Sequence, residues 1–319
     1  MTVLFENLLK TASLIITEGA IVERLKREFC ITLDEHINNA ALVYAADEKM
    51  GMIYRQYIEI AKKYSLPIML TTPTRKVTAE SLKKSIYHER EVIADCCRYL
   101  KDIRAGYKGF SEQIYVGGLL GCKGNAYNAD HALPADEAYQ FHKQQVDQVR
   151  EQELDFLQAA IMPAFSEAQG MARAMSGADL PYIISFMVRK DGCLLDGTYI
   201  SEAIAGIDKT VTPQPICYMA NCIHPSSLKK ALSHPKNRNS AEIKRFMGIQ
   251  ANASLLNPET LDQNKTLHQD DPKELILETC NLRKEFNLKI VGGCCGTDDH
   301  FLDGLAQACL GKEVEIGNG

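Results

Sequence analysis

Two kinds of hydrophobic pattern alternate along the whole chain. Short apolar runs, bounded by polar or turn-forming residues, have the length and composition of buried β-strands. They are apolar at consecutive positions, which is typical of strands in a parallel sheet that helices cover. The pattern predicts eight strands, at residues 13–17, 67–71, 114–118, 155–162, 182–188, 215–220, 246–252 and 289–293.

Between these runs, apolar residues recur with the period of an α-helix. In residues 47–64, for example, Met50, Ile53, Tyr54 and Tyr57 fall on one face of a helix. The pattern predicts that helical segments separate the strands and follow the last one. The predicted helices cover residues 47–64, 79–103, 134–154, 166–175, 201–207, 226–232, 272–286 and 298–310.

Eight strands that alternate with helices, in a chain of this length, favour a single (β/α)₈ TIM barrel over residues 1–319. A doubly wound open sheet is the alternative, but it usually needs fewer strands and usually carries a phosphate-binding loop. The longest irregular stretch, residues 253–271, follows the predicted seventh strand. On a barrel it would form a loop over the face at which the strands end.

Composition narrows the classes of function. A formal net charge of −5 argues against a protein that binds nucleic acid through its phosphates. The amino terminus does not resemble a secretory signal, and no segment approaches the ~20 apolar residues of a membrane span. We therefore expect a cytoplasmic protein with neither nucleic acid nor membrane as a partner. In that reducing compartment, clustered thiols among the eleven cysteines indicate metal ligands or catalytic groups rather than a disulfide framework.

Three cysteines follow the ends of predicted strands. Cys222 comes after the sixth strand, and Cys294 and Cys295 come after the eighth, within the segment GGCCG. In a barrel these strand ends lie near each other, so three thiolates would face one opening, as in a zinc site with an open fourth position. The glycines at 292, 293 and 296 would let the backbone turn so that adjacent thiolates converge. Buried, chemically inert cysteines and a redox-active vicinal disulfide are the alternatives.

Two cysteine motifs resemble a known family. The segment GGCCGT at residues 292–297 and the segment NCIHP at 221–225 are similar to motifs of the homocysteine S-methyltransferase family. Weaker similarities lie in residues 185–198, in residues 162–169 and at Glu18, so the resemblance covers nearly the whole chain. It implies a TIM barrel and a zinc-dependent methyltransferase of methionine biosynthesis.

The resemblance also implies roles for individual residues. Zinc would be held by three cysteines and would activate a small-molecule thiol, such as homocysteine, for transfer of a methyl group from a small donor. No other catalytic side chain is implied. The implied zinc ligands are Cys222, Cys294 and Cys295; the implied substrate contacts are Glu18, Asn221 and Gly293; and the implied supporting residues are His224 and His300.

One position departs from the family pattern. Ala160 stands where the family usually has a glutamate that helps to hold the amino group of homocysteine. The departure leaves open a non-catalytic or partner-dependent barrel that binds zinc and a thiol. Such a protein would work with a separate corrinoid protein that carries the methyl group.

Overall fold

The computed structural model describes residues 2–256 and 271–312, in which eight parallel strands form a closed barrel. Each strand pairs with its neighbours in sequence, and β8 closes the barrel by pairing with β1. The prediction of a (β/α)₈ barrel is confirmed. The strands are β1 Ile15–Thr17, β2 Ile68–Thr71, β3 Ile114–Leu120, β4 Phe156–Met162, β5 Tyr182–Phe186, β6 Cys217–Ile223, β7 Phe246–Ala251 and β8 Ile290–Gly293.

Helices surround the barrel and include four elements that the pattern did not predict: Thr2–Thr11, Val22–Phe29, and the single turns Leu42–Ala45 and Pro235–Arg238. The predicted helix 79–103 is wrong in one respect, because it is divided into two helices. Ser85 adopts an extended backbone conformation between them, and its buried hydroxyl donates to Asp34. The other helices are Asp47–Tyr64, Ala79–Lys84, Val92–Ala105, Ala135–Arg150, Phe165–Met175, Ile200–Thr210, Pro225–Ser233, Pro272–Phe286 and Asp299–Cys309, with 3₁₀ turns at Asn39–Ala41, Ser111–Gln113 and Glu242–Arg245.

The amino-terminal helix closes one end of the barrel. Its Phe5 is fully buried and stacks on Phe156 with a distance of 4.4 Å between ring centroids. Tyr115 lies 5.4 Å away on the other side, and Leu9 joins the same apolar cluster. Phe156 and Tyr115 lie in the first halves of their strands, so the helix seals the end at which the strands begin. The opposite end, where the strands finish, is left for a functional site.

The remaining core lies between the strands and the outer helices, and almost every strand residue is buried. Among the described helices, none combines the length and apolar composition that crossing a bilayer requires. Of the predicted loop 253–271, residues 257–270 lie outside the described part of the chain.

Candidate functional site

The sixth strand places Cys222 at an irregularity in the sheet. The strand continues to Ile223, three residues beyond its predicted end, and its register against β7 shifts between Asn221 and Ile223. Cys222 has a φ of 58°, in a left-handed region that non-glycine residues rarely adopt. A bulge of this kind re-aims one side chain at the rim of a barrel. The thiol therefore lies at the rim as expected, but it is held there by a backbone conformation that the pattern did not indicate.

The eighth strand brings Cys294 and Cys295 to the same rim. Hydrogen bonds fix both residues to the end of β7: the Cys294 amide donates to the Ala251 carbonyl at 2.7 Å, and the Ala253 amide donates to the Cys295 carbonyl at 3.0 Å. The carbonyl of Cys294 also accepts from the Thr297 hydroxyl at 2.7 Å. The chain consequently turns back immediately after the pair.

The glycines around this pair serve a different purpose from the expected one. Only Gly296 adopts a positive φ, of 80°. A Cβ on Gly292 would lie 2.0 Å from the Thr17 hydroxyl oxygen, and a Cβ on Gly293 would lie 2.0 Å from that of Thr297. The expectation of conformational freedom at Gly292 and Gly293 is therefore wrong. These glycines allow the close approach of neighbouring side chains.

The three predicted thiols form one cluster. The Sγ atoms of Cys222, Cys294 and Cys295 lie within 4.8 Å of one another, and the residues are buried or half-buried. Three thiolates are a soft donor set that suits zinc, and three protein ligands leave a coordination position for a substrate. In the described part of the chain, this is the only group of three His, Cys, Asp or Glu residues that could hold a metal ion. The residues present therefore fit the metal that the motif predicts.

The protons of the cluster are shared unevenly. Cys294 and Cys295 donate hydrogen bonds to Sγ of Cys222, and these bonds lower the pKa of Cys222 well below that of a free thiol. The same bond to Cys222 is the largest cause that raises the pKa of Cys294, followed by its bond to Cys295 and by burial. The cluster thus stabilises a first thiolate, and binding of a divalent cation would release the remaining protons.

Two further side chains contact Cys222, and the sequence analysis missed both. The Tyr127 hydroxyl lies 3.3 Å from Sγ, and Asn252 donates from Nδ2 at 3.2 Å. The negative charge of Cys222 raises the pKa of Tyr127, so the phenol keeps its proton and acts as the donor. Asn252 is the last residue of the predicted seventh strand, and this position could have identified it as a residue of the site. Tyr127 lies in a loop, where no pattern of apolar residues gives its place.

A buried carboxylate holds the loop that carries Tyr127. Glu167 accepts from the Lys123 amide at 2.7 Å and from the Leu133 amide at 3.3 Å, near the two ends of this loop. Its Oε1 also lies 3.1 Å from Nε2 of His142, which is fully buried. The glutamate of the segment at residues 162–169 therefore supports the cysteine cluster from a distance.

A cavity of about 360 Å³ opens beside the cysteine pair. Glu18 projects from the end of β1 into its lining and is almost completely buried. Its Oε1 accepts from the hydroxyl and the amide of Thr71, at 2.5 and 3.2 Å. Its Oε2 has no hydrogen-bond partner in the described part of the protein. A buried oxygen without a partner is costly, so this atom is suited to receive a donor from a bound ligand.

Burial changes the acidity of this carboxyl group. Desolvation raises the pKa of Glu18 to about 7, although the hydrogen bonds from Thr71 oppose the change. A cationic group next to Oε2 would favour the ionised form and lower the pKa again. The predicted substrate contact at Glu18 is thus a carboxyl group whose charge depends on what the cavity contains.

Asn221 and Gly293, the other predicted substrate contacts, occupy different places. Gly293 lines the cavity. The Asn221 side chain accepts from Ser185 and donates to Gln250, inside a buried polar layer that extends through Gln250 to Thr17. Gln250, rather than Asn221, lines the cavity. The structure therefore places Asn221 beneath the site, where it can orient Gln250.

The two predicted supporting histidines do not join the cluster. His224 caps the helix Pro225–Ser233, and its Nδ1 accepts from the Ser226 amide at 3.3 Å. Nδ1 also lies 3.5 Å from a carboxylate oxygen of Glu278. His300 is exposed on the helix Asp299–Cys309. A supporting role for either residue stays a prediction.

The fourth strand leaves the cavity wall apolar at its end. Ala160, at the position of the family glutamate, is buried, and the register of β4 against β5 shifts after Ala159. Its neighbour Ile161 contributes to the cavity lining. Glu18 is consequently the buried carboxylate of this lining, in which Glu23 is the second acidic residue.

Sequence comparison places the chain among known proteins. The profile of the family described as homocysteine S-methyltransferase matches residues 15–309. The homocysteine S-methyltransferase YbgG of Bacillus subtilis is 20% identical over 314 residues, which cover 94% of this chain and 96% of that protein. The homocysteine S-methyltransferase of Escherichia coli is 20% identical over 237 residues, which cover 71% of this chain and 75% of that protein.

Structural comparison gives the same fold. The metallated form of the homocysteine methyltransferase MmuM from Escherichia coli superposes with a TM-score of 0.75, at 17% identity, over 96% of this chain and 99% of that one. Its oxidized form gives a TM-score of 0.74 with the same coverage.

Proposed function

Because this chain belongs to the homocysteine S-methyltransferase family, it is a methyltransferase, and we propose that it moves a methyl group from a small donor to the thiol of homocysteine with the help of zinc. The observation that carries the proposal is the convergence of the sulfur atoms of Cys222, Cys294 and Cys295 on one point, beside a cavity that Cys294 and Cys295 line. A lone cysteine pair would not specify a metal, whereas three sulfur ligands from two separate strand ends do so.

The three cysteines would hold the zinc ion. When it is bound, zinc supplies a Lewis acid that keeps the sulfur of the acceptor in its thiolate form near neutral pH. Tyr127 and Asn252 donate hydrogen bonds to Cys222, and such partners of a ligand fix its orientation.

The transfer itself is a displacement at carbon. A bond forms between the acceptor sulfur and the methyl carbon while the bond from that carbon to the donor heteroatom breaks, and the electron pair leaves with the donor. The chain contributes by orienting both reactants and by excluding water, which can supply a large share of the rate enhancement. We accordingly assign no catalytic part to any side chain beyond the metal ligands.

Glu18 is the side chain that we assign to the amino group of the acceptor. Its Oε2 is buried and lacks a partner within the described residues, and Oε1 is held by Thr71. An ammonium group at Oε2 would satisfy this oxygen and compensate the charge of the carboxylate. Ala160 offers no second carboxylate, so Glu18 would bear most of this interaction.

The matched relatives give no support to a separate corrinoid carrier, and a small-molecule donor is the simpler interpretation of an open cavity.

We also propose a reducing cytoplasmic location. All eleven cysteines are free thiols, and the three of the cluster must stay reduced to bind a metal.

The test measures metal content and methyl transfer together. Purified protein is loaded with zinc, and methionine formation from homocysteine is followed with betaine-type, sulfonium and methyl-folate donors. Replacement of Cys222, Cys294 or Cys295 by alanine should lower the zinc content from one ion per chain to nearly none and abolish transfer. The matched control is Cys30→Ala, since Cys30 is exposed and outside the cluster.

Two results would contradict the proposal. One is a cysteine variant that lacks zinc yet transfers methyl groups at the wild-type rate. The other is a zinc-loaded wild-type protein that forms no methionine with any of the donors.

A further inference from the structure

A second, larger cavity lies beside the first at the same end of the barrel. It has a volume of about 680 Å³ and is formed mainly by the loops that follow β2 and β3. Both loops leave the barrel where the strands finish, which is also the end that carries the cysteine cluster. Its charged lining includes Arg75, Lys76, Lys84, Lys123, Glu35 and Glu80.

The charges of this second cavity do not balance. Lys84 and Glu80 form an ion pair at 2.9 Å and neutralise each other. Against the three remaining cations stand two carboxylates, that of Glu35 in the lining and that of the buried Glu167, whose charge acts on Lys76. The cavity is therefore positive on a protein whose net charge is −5. A local excess of positive charge in a concave site favours anionic ligands.

Arg75 lines both cavities. In the described part of the chain, no carboxylate lies within ion-pair distance of its half-buried guanidinium, whereas the half-buried Arg104 and Arg245 each pair with an aspartate at 2.6 Å. Its stem passes directly over Gly121, where a Cβ would come within 2.7 Å of Cγ of Arg75. The close approach of the chain at Gly121 leaves room for the arginine at the boundary of the two cavities.

The backbone before Arg75 is held rigidly. The Thr74 hydroxyl donates to the Leu119 carbonyl at 2.7 Å, and the Thr72 hydroxyl accepts from the Leu119 amide at 3.1 Å. Gln145 donates to the Thr74 carbonyl at 2.9 Å. These bonds fix the segment to β3, so Arg75 is presented from a prepared position rather than from a free loop.

Lys76 adds a second cation next to Arg75. Its Nζ donates to the Gly124 carbonyl at 3.1 Å. Burial, and then the neighbouring charge of Arg75, lower the pKa of Lys76. Two adjacent cations repel each other, and an anion placed between them would stabilise the charged form of both.

We propose that the second cavity binds the anionic part of the methyl donor and that Arg75 selects donors that carry a carboxylate or phosphate. This inference rests on the proposed methyl transfer and assigns the residue that recognises the anionic group of its donor. The reactive methyl group would lie in the first cavity beside the cysteines, and the anionic group would extend past Arg75 into the basic one. Arginine suits this role because its planar guanidinium binds carboxylates and phosphates through two parallel hydrogen bonds.

The test compares two sulfonium probes, one with a negatively charged tail and one without. Dimethylsulfoniopropionate carries a carboxylate, and dimethylpropylsulfonium has an uncharged tail of similar size. Titration calorimetry on the zinc-loaded protein should show at least a tenfold preference for the carboxylate probe, the range expected for hydrogen bonds between charged groups. Arg75→Gln should reduce the preference below about twofold. Arg75→Lys, which keeps the charge, should retain part of it.

Lys83→Gln is the matched control, because Lys83 is an exposed cation of the same region that lines neither cavity. It should leave the preference unchanged. A third arm uses 5-methyltetrahydrofolate with one or several glutamates. Affinity that rises with the number of glutamates, and falls in Lys123→Gln, identifies an extended polyanionic tail as the source of the anion. Affinity that does not change with that number identifies a single carboxylate.

The proposal is overturned if the wild-type protein does not distinguish the two sulfonium probes, or if Arg75→Gln keeps the preference. Binding is measured without turnover, so the result does not depend on catalysis. A protein that shows the preference but transfers no methyl group would refute the proposed function and leave the anion site standing.

Discussion

Replacement of Glu18 by glutamine removes one charge from the first cavity while it preserves the shape of the side chain. Glutamine can still place an oxygen at the position of Oε1, so the contacts from Thr71 should survive. What is lost is the interaction between the Oε2 carboxylate and the ammonium group of the acceptor. The change therefore tests the assigned ligand contact without creating a cavity.

The size of the effect follows from the burial of Glu18. Hydrogen bonds to charged groups contribute about 1.5–3 kcal/mol. We expect the KM for homocysteine to rise roughly tenfold to a hundredfold, since each 1.4 kcal/mol is a factor of ten. The kcat at saturation should change much less, because the ammonium group is remote from the bond that breaks. The assay is methionine formation at fixed donor concentration.

The matched acceptor is 4-mercaptobutanoate, which is homocysteine without its amino group. Glu18→Gln should leave the KM for this thiol almost unchanged. An equal loss for both thiols would refute the reasoning, since it would mean that Glu18 supports the fold of the cavity rather than the ammonium group. A normal KM for homocysteine in the variant would refute it as well.

The acidity of Glu18 adds a dependence on pH. An exposed glutamate ionises near 4.5, whereas burial raises the pKa of Glu18 to about 7. Between these values the folded protein binds the proton more tightly than the unfolded chain, so stability falls as pH rises through this window, by about 3 kcal/mol in full. Chelator-treated Glu18→Gln should lack this fall, as urea unfolding at pH 4.5 and pH 8 can measure. The same slope in both proteins would contradict the assignment.

Three further changes test other parts of the structure. Tyr127→Phe removes a hydroxyl donor from Cys222 and should weaken zinc binding by roughly tenfold in a competition with a chromogenic chelator, while secondary structure stays intact; unchanged affinity would remove Tyr127 from the site. Phe5→Ala should lower the free energy of unfolding by about 3–5 kcal/mol, since it empties a fully buried aromatic position, yet zinc content should remain at one ion per chain. Gly293→Ala places a Cβ 2.0 Å from the Thr297 hydroxyl oxygen and should displace the turn that carries Cys294 and Cys295. The expected result is a loss of bound zinc, measured by mass spectrometry. A variant that keeps one zinc ion per chain would show that the turn accommodates the added methyl group without losing the metal.

The barrel and its cysteine cluster could be predicted because each depends on a repeated physical rule. Apolar runs mark strands that are buried on both faces, and the order of strands around a closed barrel places the ends of β6 and β8 on either side of β7. Once that order is known, the chain at Cys222 must lie near Cys294 and Cys295, and the bulge at Cys222 then directs its thiol to the pair.

The details of the site depend on contacts that no periodic pattern records. The left-handed backbone of Cys222 is a local departure from the strand. Gly292 is required by the position of the Thr17 side chain, which lies far away in the sequence. Tyr127 and Arg75 reach the cavity from loops, and the course of a loop is fixed by individual hydrogen bonds rather than by alternation of apolar and polar residues.

The helix that seals the beginning of the barrel determines how reactants travel. Because Phe5 and Leu9 fill that end, small molecules pass between solvent and the cysteine cluster through the rim where the strands finish. Acceptor, donor, methylated product and spent donor therefore enter and leave at the same end of the barrel. A product that lingers there obstructs the next pair of reactants, which makes product departure a natural point of control over turnover.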